Sequence, residues 1–401
     1  MNNNFINHIL GNVPAELVYA ILGFLVSVFL TKSYEYNQKL LHRVKIKKAL
    51  KKLKKRQHEV KVIDLANGDP AFLNQNIFVR HVDLFGKKKS LFIDMDEECK
   101  TKLAKKENNK GFRGYQKTTF HRDQSFDGTS SFLDIAEMTN IENLPELIKK
   151  HRKIVSLKFL ESKDGLLFNA KKYGIFHLNF TRFGEYEEPG VEIDLFETDY
   201  FTHRVFRSIY HELKTKGHSI KDVNAHNFLE YRPFFTSFGI NTLLICESEK
   251  GKEIVLSKRS TKINTQKSMY HITMNEGLSI TDKDPFGKID LGLCFKRGLL
   301  EELGITEKLF NLSKRGSFYD FFLEFNNFEI GLTSVLEIEL NFEKDILPLV
   351  ARDKTLESFN FVTIPLKQKD IKNFLQNNEF IPHGRYVLER VLLRENILIL
   401  E

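Results

Sequence analysis

The sequence predicts an α+β fold carried behind a single N-terminal transmembrane helix, and three features of its 401 residues predict it. An uncharged apolar run lies near the start, a lysine-rich run follows, and beyond residue 61 β-rich segments alternate with helical periodicities. With 41% hydrophobic and 28% charged residues the chain can bury a sizeable core in two globular domains, which excludes a disordered tail or a collagen-like fibre. Cys99, Cys246 and Cys294 are the three cysteines and no pair has C-x-x-C spacing. Neither a disulfide framework nor a zinc site is expected, and the soluble part suits a reducing cytosol.

The first element is the span. From Leu17 to Thr31 no residue is charged, and ten of the fifteen are Leu, Ile, Val or Phe. At roughly −0.3 to −0.6 kcal/mol each on the insertion scale they contribute about −3 to −6 kcal/mol, against small costs for Gly23 and Ser27. Extending back through Ala15, Pro14 and Val13 gives about 18 residues, the lower limit for crossing a bilayer, with Glu16 near the interface. No Lys or Arg precedes residue 32, the reverse of a cleaved signal peptide, so the run reads as an uncleaved anchor. A buried core helix is the competing reading, but such a helix rarely precedes a run as basic as Lys45–Arg56.

Residues 32–61 carry twelve Lys/Arg against two Glu, more than the whole chain's net +8, so the basic balance belongs to this segment. Leu40, Leu41, Val44, Ala49, Leu50 and Leu53 recur near helical spacing among these cations, which predicts a basic amphipathic juxtamembrane helix. Beside anionic headgroups each Lys or Arg is worth about 1 kcal/mol. A nucleic-acid-binding arm is the alternative. By the positive-inside rule, residues 1–31 place the N-terminus outside and everything after Thr31 is cytoplasmic.

Residues 62–235 read as an α+β region of unassigned fold. Strands are predicted at Ile77–Leu84, Ile154–Leu160, Gly174–Phe180 and Val191–Phe196, the last preceded by a turn at Glu185–Gly190. Phe201, Val205, Ile209 and Leu213 at four-residue spacing predict a helix over Tyr200–Leu213. The lysine-rich stretch 100–110 reads as a mobile loop. His121-Arg122-Asp123 mimics part of a kinase catalytic loop, but no Gly-rich loop or strand lysine accompanies it.

Residues 236–401 are more sharply punctuated. Ile240–Ile245 and Glu253–Ser257 flank a polar turn containing Gly251, a hairpin signature. Then come Lys258 and Arg259, a strand around Tyr270–Met274, Asn275-Glu276-Gly277, and a loop with Asp282, Asp284, Pro285 and Gly287. A helix is predicted over Ile289–Leu303, stopped by Gly304 in a position that needs positive φ. Strands near Phe318–Phe325, Leu332–Leu340 and Phe359–Pro365 and a helix over Gly384–Leu393 complete the order.

The run Arg297-Gly298-Leu299-Leu300-Glu301-Glu302-Leu303-Gly304-Ile305 resembles the second half of the Nudix box, Arg-Glu-apolar-any-Glu-Glu-any-Gly-apolar. The resemblance covers about residues 236–395 and implies a Nudix-like α/β/α domain on a mixed sheet. In that family the carboxylate after the Arg lies three and four residues upstream of the Glu-Glu pair, so the acids converge on one helix face and hold divalent cations against a diphosphate. A metal-activated water then hydrolyses it. Here Gly298 replaces that carboxylate, Ile289 stands at the box's earlier Glu, and Lys283 at its leading Gly. With two of four carboxylates missing, no catalytic residue is assigned and the domain is not expected to be an enzyme. Glu301 and Glu302 are the candidate metal ligands, for Mg²⁺ if any, and no cofactor is required. Lys258, Arg259 and Arg297 are the candidate phosphate-binding residues. A solvated helix face and strand end are the plain alternatives.

An anchor, a basic helix and an eroded Nudix-like domain together resemble the transmembrane Nudix effectors of bacterial cyclic-oligonucleotide-based antiphage signalling systems (CBASS). The resemblance implies location in the inner membrane and a functional partner that is a cyclic-oligonucleotide synthase. It also implies that a cyclic oligonucleotide second messenger binds the Nudix-like domain, followed by homo-oligomerisation, membrane disruption and abortive infection. The alternatives are a membrane-tethered Nudix hydrolase acting on a nucleoside diphosphate derivative with Mg²⁺, and a scaffold with no small ligand.

Overall fold

The computed structural model describes residues 15–66, 78–82, 89–109, 118–126, 132–162, 167–259, 269–352, 354 and 358–397. The chain divides into two compact units, the first ending at Leu53 and the second running from Lys54. Helix α1 (Ala15–Val60) runs without a break through the apolar and basic runs. Tyr19, Phe24, Leu25, Val26, Phe29 and Leu30 on it are each at least 55% exposed. Among the described residues no helix is long and apolar enough to cross a membrane. The expected span's first residues, 13 and 14, and the side chains at 15–18 and 20–22 lie outside the described residues.

The second unit holds strands β1 (Val62–Asp64) and β2 (Phe78–Val82), then helices α2 (Glu97–Asn109), α3 (Leu133–Thr139) and α4 (Leu144–Glu161). Strands β3 (Lys171–Phe183) and β4 (Glu188–Asp199) lead into α5 (Tyr200–Thr215). Next come β5 (Phe238–Ser248), β6 (Gly251–Arg259), β7 (Tyr270–Ile272), β8 (Met274–Gly277) and α6 (Leu291–Gly298). Helix α6 continues as a π turn over Leu299–Leu303. Strands β9 (Ser313–Glu324), β10 (Glu329–Ile338) and β11 (Ser358–Pro365), then helices α7 (Gln368–Asn377) and α8 (Pro382–Arg394), complete the chain.

Two expectations are corrected. Ile154–Leu160 is part of helix α4, because Pro145 sits in its first turn and Leu144, Leu147, Ile148, His151, Val155 and Phe159 recur every three or four residues on its buried face. Residues 100–109 are helical in α2, with Glu97 and Glu98 in the first turn, Lys106 in the last, and Cys99 and Leu103 buried. In both, a local composition masked a four-residue period.

Two sheets form. The smaller has the order β2-β4-β3, with β2 parallel to β4. The larger has the order β1-β9-β10-β5-β6-β11, with β7 on β6 and β8 on β5. Only the β10–β5 pairing in it is parallel, so the sheet is mixed. The expected Tyr270–Met274 strand is divided at Thr273. The Thr273 hydroxyl accepts the Leu244 N–H at 2.9 Å and donates to the Val255 carbonyl at 2.5 Å, replacing a rung where β5 and β6 part. Strand period then sorts β5 onto two faces. Leu244 and Cys246 join Leu291, Cys294, Phe295, Leu299 and Leu303 of the α6 layer, and Leu243 and Ile245 join Val387, Leu388, Val391 and Leu392 of α8. The C-terminal part is therefore a three-layer α/β/α arrangement.

Its α6-side core is continuous with that of β3, β4 and α5. Phe328, at φ 58°, stacks between Tyr210 and Phe235, at 4.3 and 5.2 Å between ring centroids. On the opposite face Arg390, 1% exposed, bridges Asp64 at 3.0 Å and Asp320 at 2.7 Å, and Arg394 reaches Asp320 at 2.7 Å. Burial opposes an ionised Asp320, but the two guanidiniums hold its carboxyl below the ordinary range. Strand β1 begins two residues after α1 ends, so this bridge clamps the chain leaving α1 into the sheet. Arg390→Met would take the arginine from buried Asp64 and one of two from Asp320, and is expected to destabilise the second unit by about 3–5 kcal/mol in denaturant unfolding. A loss below about 1 kcal/mol would show that the bridge is not a clamp.

Candidate functional site

The residues of the box-like run fold as the sequence predicts at both ends of α6. The Asp290 side chain caps the N-terminus, accepting the Gly292 N–H at 2.7 Å. Gly304 closes the π turn at φ 78°, with its N–H on Leu300 O and the next N–H, of Ile305, on Leu299 O. Between these ends, Arg297 faces strand β8 and the 278–290 loop.

Arg297 organises the region. Its Nε and Nη2 grip Asp282 at 2.8 and 2.9 Å, and Nη2 donates to Gly277 O at 2.7 Å. Its Nη1 reaches Glu276 at 2.8 Å and, more weakly, Glu301 at 3.4 Å. Burial alone would lower its pKa, but Asp282 and Glu276 raise it above the ordinary arginine value. Burial in turn pushes the Glu276 carboxyl up, against the pull of Arg297. One planar fork thus joins a strand, a loop and a helix.

The two expected metal ligands are separated in role. Glu301 lies between two guanidiniums, accepting from Arg352 at 2.6 Å as well as from Arg297. Glu302 is 6% exposed and its Oε1 accepts the Asn275 N–H at 3.1 Å. Among the described residues no group of three or more His, Cys, Asp or Glu could hold a metal ion. A Mg²⁺ ion at Glu301 would have to compete with two guanidiniums for Oε2.

Gly298 has a steric reason. A Cβ built there would lie 2.6 Å from Glu276 Cβ and 2.8 Å from Met274 Sδ, so α6 packs on β8 only because the side chain is missing. Ile289, at the position of the box's earlier Glu, packs against the core. Lys283 pairs with Ile289 in an isolated bridge that closes the loop.

Lys258 and Arg259 sit elsewhere. The Lys258 ammonium lies over the Tyr270 ring at 5.2 Å, and no hydrogen bond or ion pair among the described residues joins either residue to Arg297, Glu301 or Glu302. The charge of Arg259 instead reaches His271 and His383. These buried histidines meet Nε2 to Nε2 at 2.8 Å, tying β7 to the start of α8. Burial holds both below the ordinary imidazole value, His383 at about 4. Sequence reasoning missed the roles of Glu276, Asp282, Arg352 and this pair. A glycine facing an acid, Gly298 against Glu276, is a signal that becomes legible only once the two are known to touch.

No family model matches the chain, and no curated protein does. Solved structures give partial likenesses. The Deinococcus radiodurans protein DR0079 matches with a TM-score of 0.28 at 10% identity, over 39% of this chain and 82% of its own. A bifunctional NMN adenylyltransferase/ADP-ribose pyrophosphatase from Francisella tularensis matches with a TM-score of 0.30 at 15% identity, over 49% of this chain and 48% of its own. The same enzyme with AMP and a manganese ion gives 0.27 and 17%, over 47% and 52%. The chain thus spans about half the length of the bifunctional enzyme.

Two predictions follow from the geometry. Restoring the box with Gly298→Glu should force α6 off β8 and cost about 1–3 kcal/mol or more, read as a lower melting temperature without any gain of hydrolysis. An unchanged melting temperature would contradict the packing. For the histidines, a depressed folded pKa means stability that is complete above pH about 6.5 and lost as pH falls towards about 4. His203, also held at about 4 by burial, acts in the same window. His383 and His203 each contribute on the order of 2 kcal/mol of loss between pH 7 and 5, and His271 adds to it in the same direction. Unfolding curves at the two pH values should show that loss, with a shallower slope in His383→Asn. Equal slopes would rule out the pair.

Proposed function

We propose that the chain is a membrane-anchored antiphage effector whose Nudix-like C-terminal domain binds a cyclic oligonucleotide without consuming it. The observation that carries this reading is the internal neutralisation of the box-like helix. Arg297 and Arg352 both engage Glu301 Oε2, the Asn275 N–H engages Glu302, and Gly298 leaves no space to restore a missing carboxylate. A ligand that survives binding can hold a population shift for as long as it is present. The messenger would come from a cyclic-oligonucleotide synthase acting in the same bacterial cell.

The membrane half rests on the sequence and on exposure. Leu17–Thr31 is free of charge, residues 32–61 are strongly basic, and Tyr19, Phe24, Leu25, Val26, Phe29 and Leu30 are exposed along α1. An uncovered apolar stretch of this extent calls for a covering, and lipid is the one the adjacent lysines favour. In this reading α1 crosses the inner membrane once, with the N-terminus outside and the rest of the chain cytoplasmic. A single span has little structure with which to breach a bilayer, so activation would assemble several copies.

The test uses full-length protein in phosphatidylglycerol-containing liposomes loaded with a self-quenched dye. Cyclic dinucleotides and trinucleotides are added singly, with dye release and oligomeric state followed together. The expected result is release and assembly with one of them, and recovery of that compound intact. Steady hydrolysis of a nucleoside diphosphate derivative in Mg²⁺, lost in Glu302→Gln, would overturn the reading in favour of a tethered Nudix hydrolase. Inertness toward the whole series would leave the scaffold reading in its place.

A further inference from the structure

Helix α5 buries Phe201, Val205, Phe206, Ile209 and Leu213 on one face. Arg204, Arg207 and Lys214 follow one another at helical spacing on a neighbouring flank. That flank meets the β9–β10 hairpin, where His203 pairs with Glu329 at 2.9 Å and the Tyr210 ring stacks on Phe328. Lys172 comes in from the start of β3, and both Lys172 and Arg207 act electrostatically on the His203–Glu329 pair.

The charges here do not balance. Glu329 is committed to His203. Glu324 is 2% exposed and turned onto the Asn326 and Asn327 N–H groups at 2.8 and 2.7 Å; burial raises its pKa to about 7. None of the four cations has a carboxylate within ion-pair distance among the described residues. Arg204 donates to the Tyr200 hydroxyl at 3.0 Å, Lys172 to the Ser237 hydroxyl at 2.6 Å, and Lys214 lies over the Tyr210 ring at 5.4 Å. Arg207, half-buried, has neither a hydrogen bond nor an ion pair among the described residues, and its pKa is lowered by burial and, against the pull of Glu329, by Arg204 alongside. Lys214 is lowered by burial and then by Lys61. Arg207 thus keeps its guanidinium donors unengaged beside the like charge of Arg204, an arrangement that an oxyanion can bridge.

We infer that the α5 flank carrying Arg204, Arg207 and Lys214, with Lys172 beside it, binds the oxyanions of a small phosphate-bearing ligand. Phosphate fits because the planar fork of Arg207 grips two oxygens at once while the lysines and Arg204 neutralise the remaining charge. A small ligand fits better than a nucleic-acid duplex because the central cations are half-buried at an element junction, whereas a duplex needs a long exposed basic track. Lys172 also pairs with Ser279 in an isolated bridge, which places the flank's inner end beside the 278–290 loop that Arg297 grips. The inference does not rest on the messenger reading: a phosphate site here stands or falls on binding alone.

The probe is inorganic pyrophosphate, titrated calorimetrically into the full chain in neutral detergent at matched ionic strength. Saturable binding is expected, weakened about ten- to a hundredfold by Arg207→Gln and less by Arg207→Lys. Lys102→Gln, which removes one exposed charge on α2, should leave it unchanged. Melting curves confirm that each variant is folded, and Arg204→Gln provides a second test if Arg207→Gln is not. No binding by the native chain, or equal losses in the Arg207 and Lys102 variants, would overturn the site. Binding of dihexanoylphosphatidylglycerol through Arg207 without binding of pyrophosphate would overturn it too, by assigning the flank to a lipid headgroup. Failure here would leave liposome activation by a cyclic oligonucleotide untouched, so the two readings separate.

Discussion

The guanidinium of Arg297 is the constraint around which the C-terminal layer is built. Three separate pieces of chain, β8, the 278–290 loop and the π turn, present oxygens to one cation held on α6. Three of those acceptors are carboxylates that would repel one another if the cation were removed. A bidentate arginine is suited to the task because its donors are fixed in a plane and it does not deprotonate. The same choice has a functional consequence. The Glu301 oxygen that accepts from Arg297 and Arg352 is not open to a divalent ion while those bonds stand. Gly298 belongs to the same arrangement, since α6 reaches Glu276 only where a side chain is missing.

The opposite face of the sheet carries a second buried network with a different role. Asp64, Asp320, Arg390 and Arg394 are two acids and two bases in one dry interior, so the charges cancel locally. Asp64 lies on the short strand that follows α1 almost at once, and that strand pairs with β9. Lys61, at φ 55°, is the single residue between helix and strand, and its carbonyl accepts the Phe325 N–H at 2.9 Å. The end of the helix is thus built into the sheet edge without a slack linker.

Much of this was legible from residue patterns. The β5–β6 hairpin, the α5 periodicity, the Gly304 stop and the terminal helix follow from turn chemistry and from a three-to-four-residue period that local physics fixes. Helix α4 was misread because Ile154, Val155 and neighbouring residues favour strands locally, while the tertiary core selects Leu147, His151, Val155 and Phe159 at helical spacing. Helix α2 was misread because its two buried apolar residues are outnumbered by exposed lysines. The box-like run was found, but the partners that disarm it were not. Glu276 and Asp282 lie 21 and 15 residues from Arg297, and Arg352 lies 51 from Glu301. Pairings at that separation are decided by the sheet and loop path, which no local pattern encodes.

At the box-like helix two guanidiniums, Arg297 and Arg352, share one oxygen of Glu301, and this sets them in competition with any divalent ion. Electron paramagnetic resonance of Mn²⁺ titrated into the full chain in detergent tests it most directly, because protein-bound ions lose the sharp aqueous signal. The account predicts that stoichiometric protein leaves the signal undiminished, with no binding tighter than about millimolar, as expected where a hard cation finds no open carboxylates. A stoichiometric loss of signal at micromolar Mn²⁺, reversed in Glu302→Gln, would contradict it.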